Sequence, residues 1–330
     1  MKTILVTGST GFLGRRLATS LAEDGNLVHA LYRSDDKIRG WKHEKIRFIK
    51  GTLGDKISIE QAMEGCRQVY HLAAFAGPWV RDPKVIYDEN VGGTENILES
   101  AMRLGIEKLV YTSTAGVLGP SDGELNTEEK QFIGNHFTHY DRSKAEAETK
   151  VMEYVAGGLN AVIVNPTRIY GPGNLSKSNS VTLMIEKYIR GKWRIIPGDG
   201  SSIGNYVYVD DAVKCHLLAM ARGRSGERYI AGGENLTFNE LFMQFARVSG
   251  VKHRLFSMPV GLMMLVAGGF QVFARLTGWT PPIVPAFVRR YNHNWAVSNK
   301  KAKMELGYQP LSFDKGLEKT IEWIQNEYMP

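Results

Sequence analysis

The chain has 330 residues, 43% of them hydrophobic and 23% charged. That is enough to bury a sizeable core, as one large α/β domain or two unequal lobes, and it excludes a disordered protein. The net charge of +7 favours anionic partners such as a dinucleotide phosphate, but no Lys/Arg block is dense enough to argue for nucleic acid.

The first residues, Met1-Lys2-Thr3, pass through a short apolar run directly into a glycine-rich turn, so no signal peptide is assigned. Strand patterns then fall at residues 3–6, 27–32, 46–49, 69–72, 109–112 and 161–164, with helical spacing at 12–21, 84–104 and 140–155. Strands spaced by helices predict a doubly wound, Rossmann-type parallel sheet. After Pro166 the pattern loosens, with loop signals at Gly171-Pro172-Gly173 and Pro197-Gly198-Asp199-Gly200. Helical segments follow at 213–220, 236–248, 258–274 and 317–324. The expected organisation is a dinucleotide-binding domain over 1–165 and a mainly substrate-binding, mostly helical lobe over 166–330, interleaved with it. Residues 258–274 contain no charge and carry Gly268-Gly269 and Gln271. They stand at the lower limit for a membrane span and read as a buried helix or pocket wall, with membrane-surface contact the lesser alternative. Cys66 and Cys215 lie far apart with no Cys-x-x-Cys pattern, which points to reduced thiols, a cytoplasmic protein and no zinc site.

Three places carry chemistry. The turn Thr7-Gly8-Ser9-Thr10-Gly11-Phe12-Leu13-Gly14 follows a strand and opens a helix. Gly8 permits the sharp turn, Gly11 lets amides approach a pyrophosphate, and Gly14 lets the helix pack on the sheet. At the end of the second strand, Arg33 favours a 2′-phosphate, hence NADP(H), with Ser34 and Lys37 nearby. Asp35 or Asp36 reaching the ribose would instead suit NAD(H). Tyr140 and Lys144 are four residues apart and share a helix face. An ammonium beside a phenol lowers its pKa toward the working range, which suits an acid/base group beside a nicotinamide.

With these residues the chain resembles an extended short-chain dehydrogenase/reductase over nearly its whole length. The resemblance also rests on His71-Leu72-Ala73-Ala74, Asn90-Val91-Gly92-Gly93-Thr94, Tyr111-Thr112-Ser113-Thr114-Ala115, the run from Asn165 to Gly173, and Tyr208-Val209-Asp210-Asp211. It implies Tyr140 as general acid/base, Lys144 as holder of the nicotinamide ribose, and Thr114 as partner of the substrate oxygen, with Ser113 as rival. It implies that Leu72, Ala73 and Ala74 line the cofactor and that Pro166 sets the nicotinamide face. Thr52-Leu53 stands where the family often has Asp-Leu at the adenine. Relatives are often dimers.

Within the family, epimerases often place an Arg where this chain has Gly204, and 4,6-dehydratases carry an acidic pair where it has Ala115-Gly116. The better match is the subgroup similar to dihydroflavonol reductases and 3β-hydroxysteroid dehydrogenases. The expected activity is therefore NADP(H)-dependent interconversion of a carbonyl and an alcohol on an apolar small molecule, with Phe75, Trp79, Trp279 and Pro281-Pro282 offered to its pocket. The alternatives are an NAD-dependent nucleotide-sugar epimerase and a silent cofactor-sensing or scaffold module.

Overall fold

The computed structural model describes every residue except 78, 174, 176–178 and 329–330. Its first half runs β1 (Thr3–Thr7), α1 (Phe12–Glu23), β2 (Leu27–Tyr32), β3 (Ile46–Lys50), α2 (Lys56–Met63), β4 (Gln68–His71), α3 (Lys84–Tyr87), α4 (Gly93–Arg103), β5 (Lys108–Thr112), α5 (His139–Ala156) and β6 (Ala161–Pro166). The second half runs β7 (Arg168–Tyr170), α6 (Ser180–Ile189), β8 (Ile195–Pro197), β9 (Ile203–Tyr208), α7 (Val209–Arg222), β10 (Arg228–Ala231), β11 (Glu234–Thr237), α8 (Phe238–Ser249), β12 (Phe256–Met258), α9 (Val260–Thr277), α10 (Pro285–Arg289) and α11 (Phe313–Tyr328).

A seven-stranded sheet of order β10-β6-β5-β4-β1-β2-β3 forms the centre. Every pairing in it is parallel. Both faces are covered because successive side chains alternate. Ile4, Val6, Val110, Val162 and Val164 join α1 and α7 in one core. Leu5, Leu109, Tyr111 and Ile163 join α2, α4 and α5 in the other. The strand order reverses between β1 and β4, so a crevice opens at their carboxyl ends, the usual ligand position in such sheets. β10 comes from the second half of the chain yet completes this sheet beside β6. Smaller sheets, β11-β9-β7 and β12-β8, build the other lobe.

Residues 84–104 are helical as expected, with a π segment at Asp88–Gly92 set between α3 and α4 in one unbroken run. One segment differs from the sequence expectation. The apolar segment 258–274 does form a helix, but of α9 only Ala267 and Ala274 are buried. Leu265 is 74% exposed and Leu276 79% exposed, which overturns the reading of a buried helix.

Candidate active site

β1 ends in a turn shaped by its glycines. Gly8 takes a left-handed φ of 66°, and a side chain there would meet Ala73 N at 2.6 Å. A Cβ on Gly14 would run into the carbonyl of Gly8, so only glycine lets α1 close on the turn. Gly11 caps α1 with no side-chain acceptor, and no acidic residue stands in the first turn. The amides of Phe12, Leu13 and Gly14 are therefore open to an anion. Leu13 itself is buried in the core, so only its backbone serves that end, while Thr10 and Phe12 are half-buried. This cradle fits a dinucleotide pyrophosphate.

Hydrogen bonds fasten the cradle to the next strand ends. Ser9 Oγ donates to Leu31 O at 2.9 Å. Thr7 Oγ1 accepts from Ala73 N at 3.1 Å and lies 2.7 Å from His71 Nδ1, drawing Leu72, Ala73 and Ala74 to the turn. Burial, with the Lys144 charge second, pushes the His71 pKa down to about 3, so its imidazole is a neutral strut. Its Nε2 is 3.0 Å from Thr94 Oγ1, which donates to Asn90 O. Leu53 is buried against Gly93 and Pro166 is buried at the end of β6.

At the end of β2, the Arg33 side chain is 71% exposed and its carboxylate neighbour, Glu89, lies 3.6 Å away. The acidic candidates are engaged elsewhere. Asp35 accepts from Lys50 at 2.6 Å and from the Tyr32 hydroxyl at 3.1 Å, and Asp36 pairs with Arg39 at 3.0 Å.

α5 starts where it does because Thr138 caps it. Thr138 Oγ1 accepts from Asp141 N at 3.0 Å and donates to Asp141 Oδ2 at 2.7 Å. Asp141 also holds Arg290 at 2.7 Å, and Arg290 lies over the Trp295 ring at 3.9 Å. Burial first, then Asp141, raises the pKa of the half-buried Tyr140 phenol, and Arg290 opposes them. One turn on, Lys144 is 1% exposed. Its ammonium rests over the Tyr111 ring, 4.1 Å from the centroid. The sequence expectation gave the depression of the phenol pKa to Lys144, whereas the cation acting on Tyr140 in this structure is Arg290. Desolvation brings the Lys144 pKa down to about 7 against the pull of Glu148.

That shift has a measurable sign. Below pH 7 Lys144 is charged in both folded and unfolded chains, and the burial penalty is complete. Between about 7 and the ordinary lysine value near 10.4, the unfolded chain holds the proton that the folded one has lost, so stability rises with pH. Chemical denaturation should show Lys144→Met gaining most over wild type below pH 7, with the gap closing toward pH 10. A gap independent of pH would mean that Lys144 stays charged in the fold.

Thr114 caps the short 3-10 turn Ala115–Leu118, accepting from Gly116 N at 3.1 Å. Gly116 abuts Asp141 so closely that a Cβ would strike the carboxylate, which brings Thr114 against the start of α5. Asn165 donates to Thr114 O at 3.1 Å and to Glu148 Oε1 at 2.7 Å, and Arg228 meets Glu148 at 2.9 Å. Ser113 is buried beside Glu148, while Thr114 is half-buried. Asn90, from the π segment, donates to Ser143 Oγ at 2.9 Å and brackets Phe75 through its amide and carbonyl. Thr114, Tyr140 and Lys144 thus share one corner beside the nucleotide cradle. Of their supports, Asn90 and Asn165 stand in runs that carry the family resemblance without an assigned role, whereas Glu148 and Arg290 carried no signal, their partners Asn165 and Asp141 being 17 and 149 residues away.

The model of the NAD dependent epimerase/dehydratase family matches residues 4–232. The chain belongs to this family, whose members are extended short-chain dehydrogenases/reductases. It is therefore an enzyme that uses a nicotinamide cofactor on alcohol and carbonyl groups. A Synechocystis protein bearing the provisional name dihydroflavonol 4-reductase is 30% identical, over 97% of this chain and 94% of the relative. Sterol demethylase protein B of Methylococcus capsulatus is also 30% identical, over 99% of each. Among solved structures, a UDP-glucose 4-epimerase from Thermotoga maritima with UDP-glucose superposes with a TM-score of 0.78 at 25% identity, over 98% of this chain and 99% of the other.

Set within this family, the substrate side holds three features that the sequence did not show. Gly204 does lack the Arg of epimerases, but the Arg168 guanidinium fills the space above it, where it donates to the Tyr206 hydroxyl at 3.0 Å. A cation therefore stands there from another strand. A cleft of ≈ 700 Å³ opens between Gly198–Ser202, Val260 and Tyr291, and none of Thr114, Tyr140 or Lys144 lines it. Trp279 packs on Phe270 and Phe273 of α9, at 5.8 Å each, so it belongs to the exposed helix rather than to a pocket.

Proposed function

We propose that this enzyme is an NADP(H)-dependent oxidoreductase interconverting a carbonyl and an alcohol on an apolar small molecule. The observation that carries the reading is the corner formed by Thr114, Tyr140 and Lys144 beside the glycine cradle. On this reading Gly8, Thr10, Gly11, Phe12, Leu13 and Gly14 hold the pyrophosphate. Leu72, Ala73, Ala74 and Pro166 flank the nicotinamide, Leu53 backs the adenine end, and Lys144 holds the ribose. The cofactor supplies or accepts the hydride. Thr114 Oγ1 holds the substrate oxygen, Tyr140 gives that oxygen its proton, and Arg290, the cation that acts on the phenol, favours the phenolate left behind. Residues 1–165 bind the nucleotide and residues 166–330 supply most of the substrate side, β10 being the exception. The sterol and flavonoid names among relatives support an apolar substrate.

Arg33 is the proposed 2′-phosphate clamp, supported by its exposure and by the engagement of Asp35 and Asp36 with other partners. Titration by nicotinamide fluorescence should show NADPH bound more tightly than NADH. Arg33→Ala should weaken NADPH by about 10- to 100-fold and leave NADH nearly unchanged, the range expected for a charge-assisted hydrogen bond. Equal affinities, or NAD retained through purification, would move the assignment to a nucleotide-sugar epimerase. Arg168 above Gly204 is the specific observation that favours this second reading, since it offers a phosphate partner from β7.

A further inference from the structure

α9 is the one helix among the described residues long and apolar enough to cross a membrane by length and composition, and 11% of it is buried. It packs on α10, and Ala267 and Ala274 are its buried residues. Its remaining surface presents Leu262, Leu265, Val266, Val272, Phe273 and Leu276 to the outside, and a Cβ on Gly261, Gly268 or Gly269 would meet nothing. Trp279 and Phe256 continue the patch at its two ends. An apolar surface this continuous is larger than isolated exposed side chains explain.

Charge decides what covers it. Residues 241–304 hold nine Lys and Arg and no Asp or Glu. Arg247, Arg290 and Lys301 are paired with acids elsewhere in the fold. Lys252, Arg254, Arg275 and Arg289 are exposed in and around the helix, and the Arg254 guanidinium sits 5.3 Å from the Phe256 ring centroid. A second copy on this face would set a mainly cationic rim against itself, Asp199 beside Val260 being an acid at the start of the helix. A surface that is apolar below and anionic above fits both parts.

We propose that α9 docks this enzyme on an anionic phospholipid bilayer, lying in the headgroup layer with its outer face among the acyl chains. It does not span. β12 leads into the helix while paired to β8, and α10 folds back along it before Arg290 returns to Asp141, so both ends of the hairpin stand on the same side. The dock is also close to the chemistry. α10 runs into Arg290, whose partner Asp141 is the neighbour of Tyr140, so a molecule dissolved in the bilayer would meet the enzyme one helix away from the proposed acid.

The test is flotation of the full-length protein with vesicles of phosphatidylcholine alone and of phosphatidylcholine mixed with phosphatidylglycerol. Wild type should float with the mixed vesicles, less with the neutral ones, and less as salt rises. Leu265→Glu with Leu276→Glu should lower partitioning by about tenfold or more. Arg254→Glu with Arg275→Glu, which leaves the apolar face intact, should lower it by roughly fivefold per cation removed. Retained NADPH binding would show that either variant is folded. Wild type remaining at the bottom of the gradient, or variants floating as well as wild type, would overturn the proposal. So would gel filtration showing a wild-type dimer that the Leu variants reduce to monomer, since a second copy would then be the occupant.

Discussion

Tyr140→Phe is expected to lower kcat by about 10²- to 10⁴-fold, the usual worth of a positioned acid/base, while cofactor affinity stays near wild type. The ring survives the change, and Asp141, Arg290 and Ser143 form their contacts without the phenol oxygen. The lost proton donor is therefore separable from lost architecture. Single-turnover reduction with saturating NADPH is the measurement, paired with a fluorescence titration of the cofactor. A variant keeping most of its rate would remove Tyr140 from the chemistry and direct attention to Thr114. A variant losing cofactor as well would mean that the hydroxyl's main role is in binding.

Gly14→Ala is the second large effect. The added methyl enters the space of the Gly8 carbonyl and crowds Ser9 Cα, and both neighbours are backbone, so no rotamer change relieves it. Either α1 slides away from the turn or the turn opens. Overpacking of this kind costs about 1–3 kcal/mol of stability. Displacing the cradle by about an ångström should weaken NADPH binding by about 100-fold, because the first amides of α1 lose their aim. A melting curve and the same titration report the two effects separately. If Gly14→Ala bound NADPH within a few-fold of wild type, the pyrophosphate would have to sit elsewhere.

Much of the sheet was legible because its strands are short apolar runs bounded by turn residues. The six strands read from sequence agree with the structure to within a residue or two at each end. What escaped notice was decided at a distance. The π segment at Asp88–Gly92 carries Asn90, which bonds Phe75 and Ser143, and helical spacing over 84–104 does not distinguish π from α geometry. Leu236 reads as helical by spacing but pairs with Gly204 in β11. The capping box of Thr237 and Glu240, which marks the true start of α8, was readable and went unused. For α9 the composition was right and the side wrong, since apolar spacing cannot say whether protein or something else covers a helix. Of the candidate site, the turn and the Tyr140/Lys144 pair were visible as local patterns. Arg168 above Gly204 was not, because its partner lies on another strand.

The late return of β10 has a consequence for biosynthesis. β6 is buried along its whole length, and its outer edge is covered only by residues 228–231. As the chain emerges from the ribosome, the glycine-rich turn, α5 and six of the seven strands exist before that edge can be sealed. For the time taken to add some sixty residues, roughly 3–12 s at ordinary elongation rates, β6 presents an open apolar edge of the kind that recruits other chains. Chaperone demand for this enzyme should therefore concentrate in that window, and cutting the gene after the first lobe would make the exposed edge permanent.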